Sequence, residues 1–181
     1  MNEKKETNVS HPYVVLATET VRRHLSGEPP LRAGRDIDPD ASLWELRRAC
    51  FVSIKTLAGD LRGCIGTIEP QHPSIDLEIM ANAISASTRD PRFPPMTLAE
   101  LSGVVLSVDV LSKPERVSGV GDLDPLKWGI IVSKGMRRGV LLPDLDGVDT
   151  VQMQIEIASR KAGIFGLDGI SIDRFSVNRY K

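Results

Sequence analysis

Aromatic residues make up only 4% of this 181-residue chain: four Phe, two Trp and two Tyr. That scarcity excludes the stacking platforms on which single-stranded nucleic acids are bound. Charge of one sign is lacking too. Lys and Arg number 23 against 24 Asp and Glu, a net charge of -1, so no general affinity for nucleic acid and no acidic tail is implied. No apolar run approaches the ~20 residues that cross a bilayer. The first residues, Met1 to Ser10, are polar and of mixed charge, without the apolar centre of a signal peptide. A cytoplasmic protein without membrane contact is the expectation.

Metal and nucleotide signatures are also missing. Three scattered His and two separated Cys offer none of the Cys-x-x-Cys or His-x-x-x-His spacings that zinc needs. Neither Gly-x-Gly-x-x-Gly nor a Walker-type loop occurs. No metal and no cofactor is expected. What is present is 41% hydrophobic residue over 181 positions, enough for one core-forming domain.

The most informative segment is Leu61-Arg62-Gly63-Cys64-Ile65-Gly66-Thr67. As a strictly alternating strand it projects Arg62 and Cys64 from one face, and a neighbouring guanidinium favours thiolate over thiol. Gly63 and Gly66 carry no side chains, which leaves room for close approach to the backbone. Ala49 to Leu57 and Leu61 to Ile68 read as a hairpin around Ala58-Gly59-Asp60. A three-residue loop sets Cys64 opposite Ile54, and a two-residue loop shifts that pairing by one. In the first register Cys50 lies roughly 13 Å from Cys64, too far for a disulfide, whose Cα atoms lie within about 7 Å.

Elsewhere, apolar spacing predicts helices over Ser10 to Leu25, ended by Gly27, and over Ile75 to Ser87, with Ile75, Ile79, Met80, Ala83 and Ile84 as the buried stripe. Prolines in Arg89-Asp90-Pro91-Arg92-Phe93-Pro94-Pro95 stop the second helix. Thr97 and Glu100 have capping-box spacing. Strands are expected at Gly103 to Leu111, Gly129 to Ser133, Gly139 to Leu142 and Ile170 to Tyr180, with a further helix starting near Asp149 and closed by Gly163. Two groups of strands, each with helices, point to an α+β domain with an antiparallel sheet.

Three places carry candidate chemistry. Cys64 and Arg62 are the candidate catalytic pair, with His72 the nearest candidate base; the alternative is a small buried thiol in a crowded strand. Asp90 and Arg92 form a charged pair between prolines, where Arg92 suits an anion clamp or the pair satisfies backbone groups while Phe93 fills the core. Lys134 and Arg137, beside Arg138, surround a tight turn that suits an anion or simply solvates its cations. Gly63, Gly66, Asp90, Arg92, Lys134 and Arg137 are therefore the candidate binding residues.

These segments, with Lys134-Gly135 leading into Gly139-Val140-Leu141-Leu142-Pro143 and with Arg160-Lys161-Ala162-Gly163, resemble the AMMECR1 family from about Ala49 to Tyr180. The resemblance implies an α+β fold of two strand-helix repeats around a barrel-like, mainly antiparallel sheet, in a larger and a smaller lobe. Residues 1–10 would be a disordered tail and 11–181 a single domain with two interleaved lobes. It implies no established reaction. It also implies a pathway shared with a radical S-adenosylmethionine protein and a Memo-like, dioxygenase-fold protein, which are the expected partners beside a small-molecule ligand. Where other members often carry a second cysteine this chain has Ser159, so a two-cysteine mechanism fits it poorly. Two functions follow as expectations: an enzyme or enzyme-accessory subunit with a small anionic or carbonyl ligand at the Cys64 motif, or a non-catalytic module that docks onto a pathway partner. Nucleic-acid binding through Arg47-Arg48, Arg137-Arg138 and Arg160-Lys161 is disfavoured by the near-neutral charge.

Overall fold

A computed structural model describes residues 10–166 and 168–181, so the tail expected over residues 1–10 lies, apart from Ser10, outside the described residues. In chain order the elements are α1 (Pro12–Ser26), a one-turn α2 (Ala33–Asp36), β1 (Cys50–Thr56), β2 (Leu61–Gly66), α3 (Ile75–Thr88), β3 (Val104–Leu111), β4 (Glu115–Arg116), β5 (Gly129–Lys134), β6 (Arg137–Leu141), α4 (Val151–Lys161), β7 (Ser171–Phe175) and β8 (Val177–Tyr180). The strands form two open antiparallel sheets, ordered β2-β1-β3-β8 and β4-β7-β5-β6. The fold is thus α+β, but neither sheet closes into the expected barrel. The single strand expected at Ile170 to Tyr180 breaks at Ser176, whose amide donates to Ser112 Oγ at 2.9 Å instead of joining a ladder.

Two compact units result, the first running to Asp109 and taking back Arg179–Lys181, the second spanning Val110–Asn178. In the first, α1 starts on His11, whose Nδ1 accepts the Tyr13 amide, with Pro12 in the first turn; Gly27 ends it in the left-handed conformation that glycine adopts without strain. Leu16, Ala17 and Val21 of α1 are buried, as are Val52 and Ile54 of β1 and Ile75, Ile79 and Ala83 of α3. The expected stripe on α3 is rotated: Met80 and Ile84 are half-exposed, whereas Glu78 and Asn82 are buried. Both polar groups are satisfied. Glu78 accepts from the Gln71 and His72 amides at 2.8 Å and from Thr67 Oγ1. In the second unit α4 packs on β5 and β6 around Ile130, Val132, Leu141, Ile155 and Ala158.

The expected repeat is visible in matching details. Ile54 faces Gly63 across β1–β2, and Val132 faces Gly139 across β5–β6. A Cβ on Gly63 would stand 2.2 Å from the Ala86 carbonyl oxygen of α3, and one on Gly139 1.8 Å from that of Ala158 of α4. Four residues before those alanines, Asn82 Nδ2 donates to the Cys50 carbonyl at 3.1 Å and Gln154 Nε2 to the Trp128 carbonyl at 2.7 Å. Each hairpin is therefore fastened to its helix by one glycine and one buried amide.

Candidate functional site

The β1–β2 register decides which side chains meet. Ser53 pairs with Cys64 and Ile54 with Gly63, but Lys55 pairs with Leu61. One step on β1 matches two on β2, so Arg62 is the extra residue of a β-bulge. This displaces the register by one from the Cys64–Ile54 pairing of a three-residue loop. Cys64 and Ser53 are a non-hydrogen-bonded pair, the closer kind, and Ser53 Oγ donates to Cys64 Sγ at 3.2 Å. Both thiols are free, and Cys50 is buried, which pushes its thiol up to about 12. Cys64 is partly exposed.

As the outer strand of its sheet, β2 leaves the Cys64 backbone groups without a strand partner. Two side chains of the loop after α3 supply one. Asp90 Oδ2 accepts the Cys64 amide at 2.9 Å, and Arg92 Nη2 donates to the Cys64 carbonyl at 3.1 Å. Arg92 also clasps Asp90, Nε to Oδ1 at 2.9 Å and Nη2 to Oδ2 at 2.7 Å. The Asp90 side chain is 2% exposed and that of Arg92 53%. The Arg92 guanidinium, followed by the Cys64 and Arg92 amides, holds the Asp90 carboxyl well below the usual carboxylate range. Arg92 is correspondingly raised, chiefly by Asp90 and to a smaller extent by the Cys64 side chain. The guanidinium hydrogen-bonded to Cys64 is therefore the one 28 residues later in the chain.

Arg62 is committed elsewhere. Its Nε donates to Glu100 Oε1 at 2.9 Å and its Nη2 to the Pro94 carbonyl at 3.0 Å. Glu100 in turn closes a capping box with Thr97 at the start of a 3-10 turn, Leu98–Gly103. Phe93 lies between the two cations, its centroid 6.0 Å from Arg62 Cζ and 5.6 Å from Arg92 Cζ. The space at the two glycines is occupied by protein: α3 backbone at Gly63, and the Phe51 ring, whose Cγ would be 2.3 Å from a Cβ, at Gly66. His72 meets Glu78 through its amide, and among the described residues no imidazole is hydrogen-bonded to Cys64. Lys134 and Arg137 belong to the second unit, at the ends of β5 and β6, with Met136 at the tip. There Arg137 Nη1 donates to the Gly163 carbonyl at 2.7 Å. Among the described residues no three His, Cys, Asp or Glu converge as a metal site, and no helix is long and apolar enough to cross a membrane.

The first unit thus brings together Ser53, Cys64, Asp90 and Arg92, with Arg62 and Glu100 bracing the loop that supplies the last two. Ser53 and Glu100 were not among the candidate site residues. Ser53 meets Cys64 only because the bulge at Arg62 shifts the register by one. For Glu100 the capping-box spacing gave its local role but not its long-range ion pair.

Comparison with known proteins places the chain. The AMMECR1 family profile matches residues 14–181. A Thermotoga maritima protein is 48% identical over 176 residues, 94% of this chain and 98% of that one. A Clostridium acetobutylicum protein is 44% identical over 94% of this chain, which spans only 36% of that relative. The crystal structure of an uncharacterized protein from Pyrococcus horikoshii shares the fold with a TM-score of 0.81 at 27% identity, over 92% of this chain and 88% of that one. The chain belongs to the AMMECR1 family.

Proposed function

We propose that the protein is an enzyme or enzyme-accessory subunit whose small-molecule site lies on the β1–β2 face that carries Cys64, and that it takes a small anionic or carbonyl compound. One observation supports this reading above the rest: a free, partly exposed thiol adjoins an Arg92 side chain that is 53% exposed although its carboxylate partner is buried. Asp90 occupies Nε and Nη2 of that guanidinium, which leaves Nη1 to face a ligand. A guanidinium so fixed orients an oxyanion beside the sulfur. The test compares Cys64 alkylation by iodoacetate and by neutral iodoacetamide, with Cys64→Ser as the blank. The wild type is expected to favour iodoacetate several-fold more than the Arg92→Gln/Asp90→Asn variant, in which neither charge remains. Equal reagent ratios in the two proteins would remove the anion site.

A docking module for a radical S-adenosylmethionine or Memo-like protein is favoured by a separate observation in the second unit. Met136 is 99% and Phe165 83% exposed, and the Arg137–Gly163 hydrogen bond ties together the segments that present them. Large apolar groups so exposed mark contact surfaces. Titration calorimetry of each purified partner against wild type and the Met136→Ser/Phe165→Ser variant tests it. Equal affinity, or none with either, counts against docking there.

A further inference from the structure

The two hairpin-helix repeats permit a comparison position by position, and it isolates what the first unit has added. With Gly63 matched to Gly139 and Ile54 to Val132, Ser53 corresponds to Ile131 and Cys64 to Val140. On the helices, Asn82 corresponds to Gln154 and Ala86 to Ala158. Beyond the helices the two repeats part: the Ser87 carbonyl accepts the Met96 amide at 2.8 Å, where the matching Ser159 carbonyl accepts that of Ile164 at 2.9 Å. The fastening residues keep their chemistry between repeats, Asn82 with Gln154 and Ala86 with Ala158. Buried Ser87 likewise matches buried Ser159. Two hairpin positions do not. Ser53 and Cys64 of the first unit stand where the second has Ile131 and Val140.

A hairpin that only has to pack on its helix is therefore built here with apolar residues at both places. We infer that Ser53 is a positioning residue of the Cys64 thiol, its hydroxyl donating to the sulfur from the strand partner while Arg92 approaches from the loop. This rests on reading Cys64 as a reactive thiol. Geometry fixes the contact: the pair lies directly across the sheet, where side chains are closest, and the 3.2 Å separation is set by backbone pairing rather than by a long mobile side chain. A donor so placed strengthens when the sulfur becomes anionic, since hydrogen bonds to charged groups are about twice as strong as neutral ones.

Two variants test the inference. Ser53→Ala should displace the pH–rate profile of iodoacetamide alkylation of Cys64 toward alkaline pH and slow labelling at neutral pH about tenfold, the equivalent of one charged-group hydrogen bond. Ser53→Ile/Cys64→Val carries the second unit's residues and should unfold at the same urea midpoint as wild type. An unmoved pH–rate profile in Ser53→Ala overturns the inference. So does a double variant that is already unfolded without urea, because the polar pair would then be needed for folding. The neutral reagent keeps this separate from the anion test: the iodoacetate preference can fail while the Ser53 profile shifts, and the reverse.

Discussion

Asp90 accepts the amide hydrogen of Cys64 at 2.9 Å from 26 residues further along the chain, and closes the outer edge of β2 as another strand would. The carboxylate does this while buried and clasped by Arg92. Replacing Asp90 with Ala leaves the Cys64 amide and one face of the guanidinium without partners. We expect a loss of about 2–3 kcal/mol in urea unfolding, and a smaller loss for Asp90→Asn, which keeps an acceptor. A change under 0.5 kcal/mol for the Ala variant would show that the edge does not need its cap.

Acid stability follows from the same contact. The Asp90 carboxyl is held below its ordinary value first by Arg92, then by the two amides. A carboxyl lowered in the folded state contributes stability that is present above its unfolded value near 3.9 and is lost as pH falls through the folded value. Wild type should therefore lose stability between pH 5 and pH 2 more steeply than Asp90→Asn. Parallel acid-unfolding curves for the two proteins would assign that loss to other groups.

Gly63 and Gly139 give a matched pair. At each, the Cβ of alanine meets a helix carbonyl at 2.2 or 1.8 Å, and backbone cannot yield as a flexible side-chain end can. Both Gly→Ala variants should lose about 3 kcal/mol or more of stability. The comparison also separates packing from binding. Were Gly63 kept free for a ligand, Gly63→Ala would fold like wild type while Gly139→Ala would not.

Much of this fold was readable because its elements are marked locally. Gly27 ends α1, the prolines after Arg89 stop α3, and a valine- and leucine-rich run marks β3. The site was only half readable, and the bulge explains why. Strict alternation puts Arg62 beside Cys64, but the extra residue in β2 sends Arg62 to Glu100 and leaves Arg92 as the nearby cation. Register, and with it Ser53, depends on that one backbone irregularity, which no side chain in the hairpin announces. Glu78 and Asn82 were hidden for another reason. Apolar periodicity cannot show a polar residue that is buried because it serves the backbone of another segment.

His11 supplies a pH dependence of the opposite chemical type. Its Nδ1 caps α1 by accepting the Tyr13 amide at 3.2 Å, which only the unprotonated nitrogen can do. Its ring lies 4.7 Å from that of Tyr13 and 4.0 Å from that of Tyr180, and burial lowers its pKa. A histidine lowered in the folded state contributes stability that is complete above its unfolded value near 6.5 and is lost as pH falls through the folded value. His11→Asn keeps a capping acceptor that does not titrate. Its Tm should fall less than the wild-type Tm between pH 7.5 and 5, whereas His11→Ala, without a cap, should start about 1 kcal/mol lower at pH 7.5. That corresponds to about 2–4 °C in a chain of this size. Equal losses for His11→Asn and wild type over that interval would show that titration of the cap plays no part. In that case the ring contacts with Tyr13 and Tyr180, which survive protonation, would be what holds the start of α1.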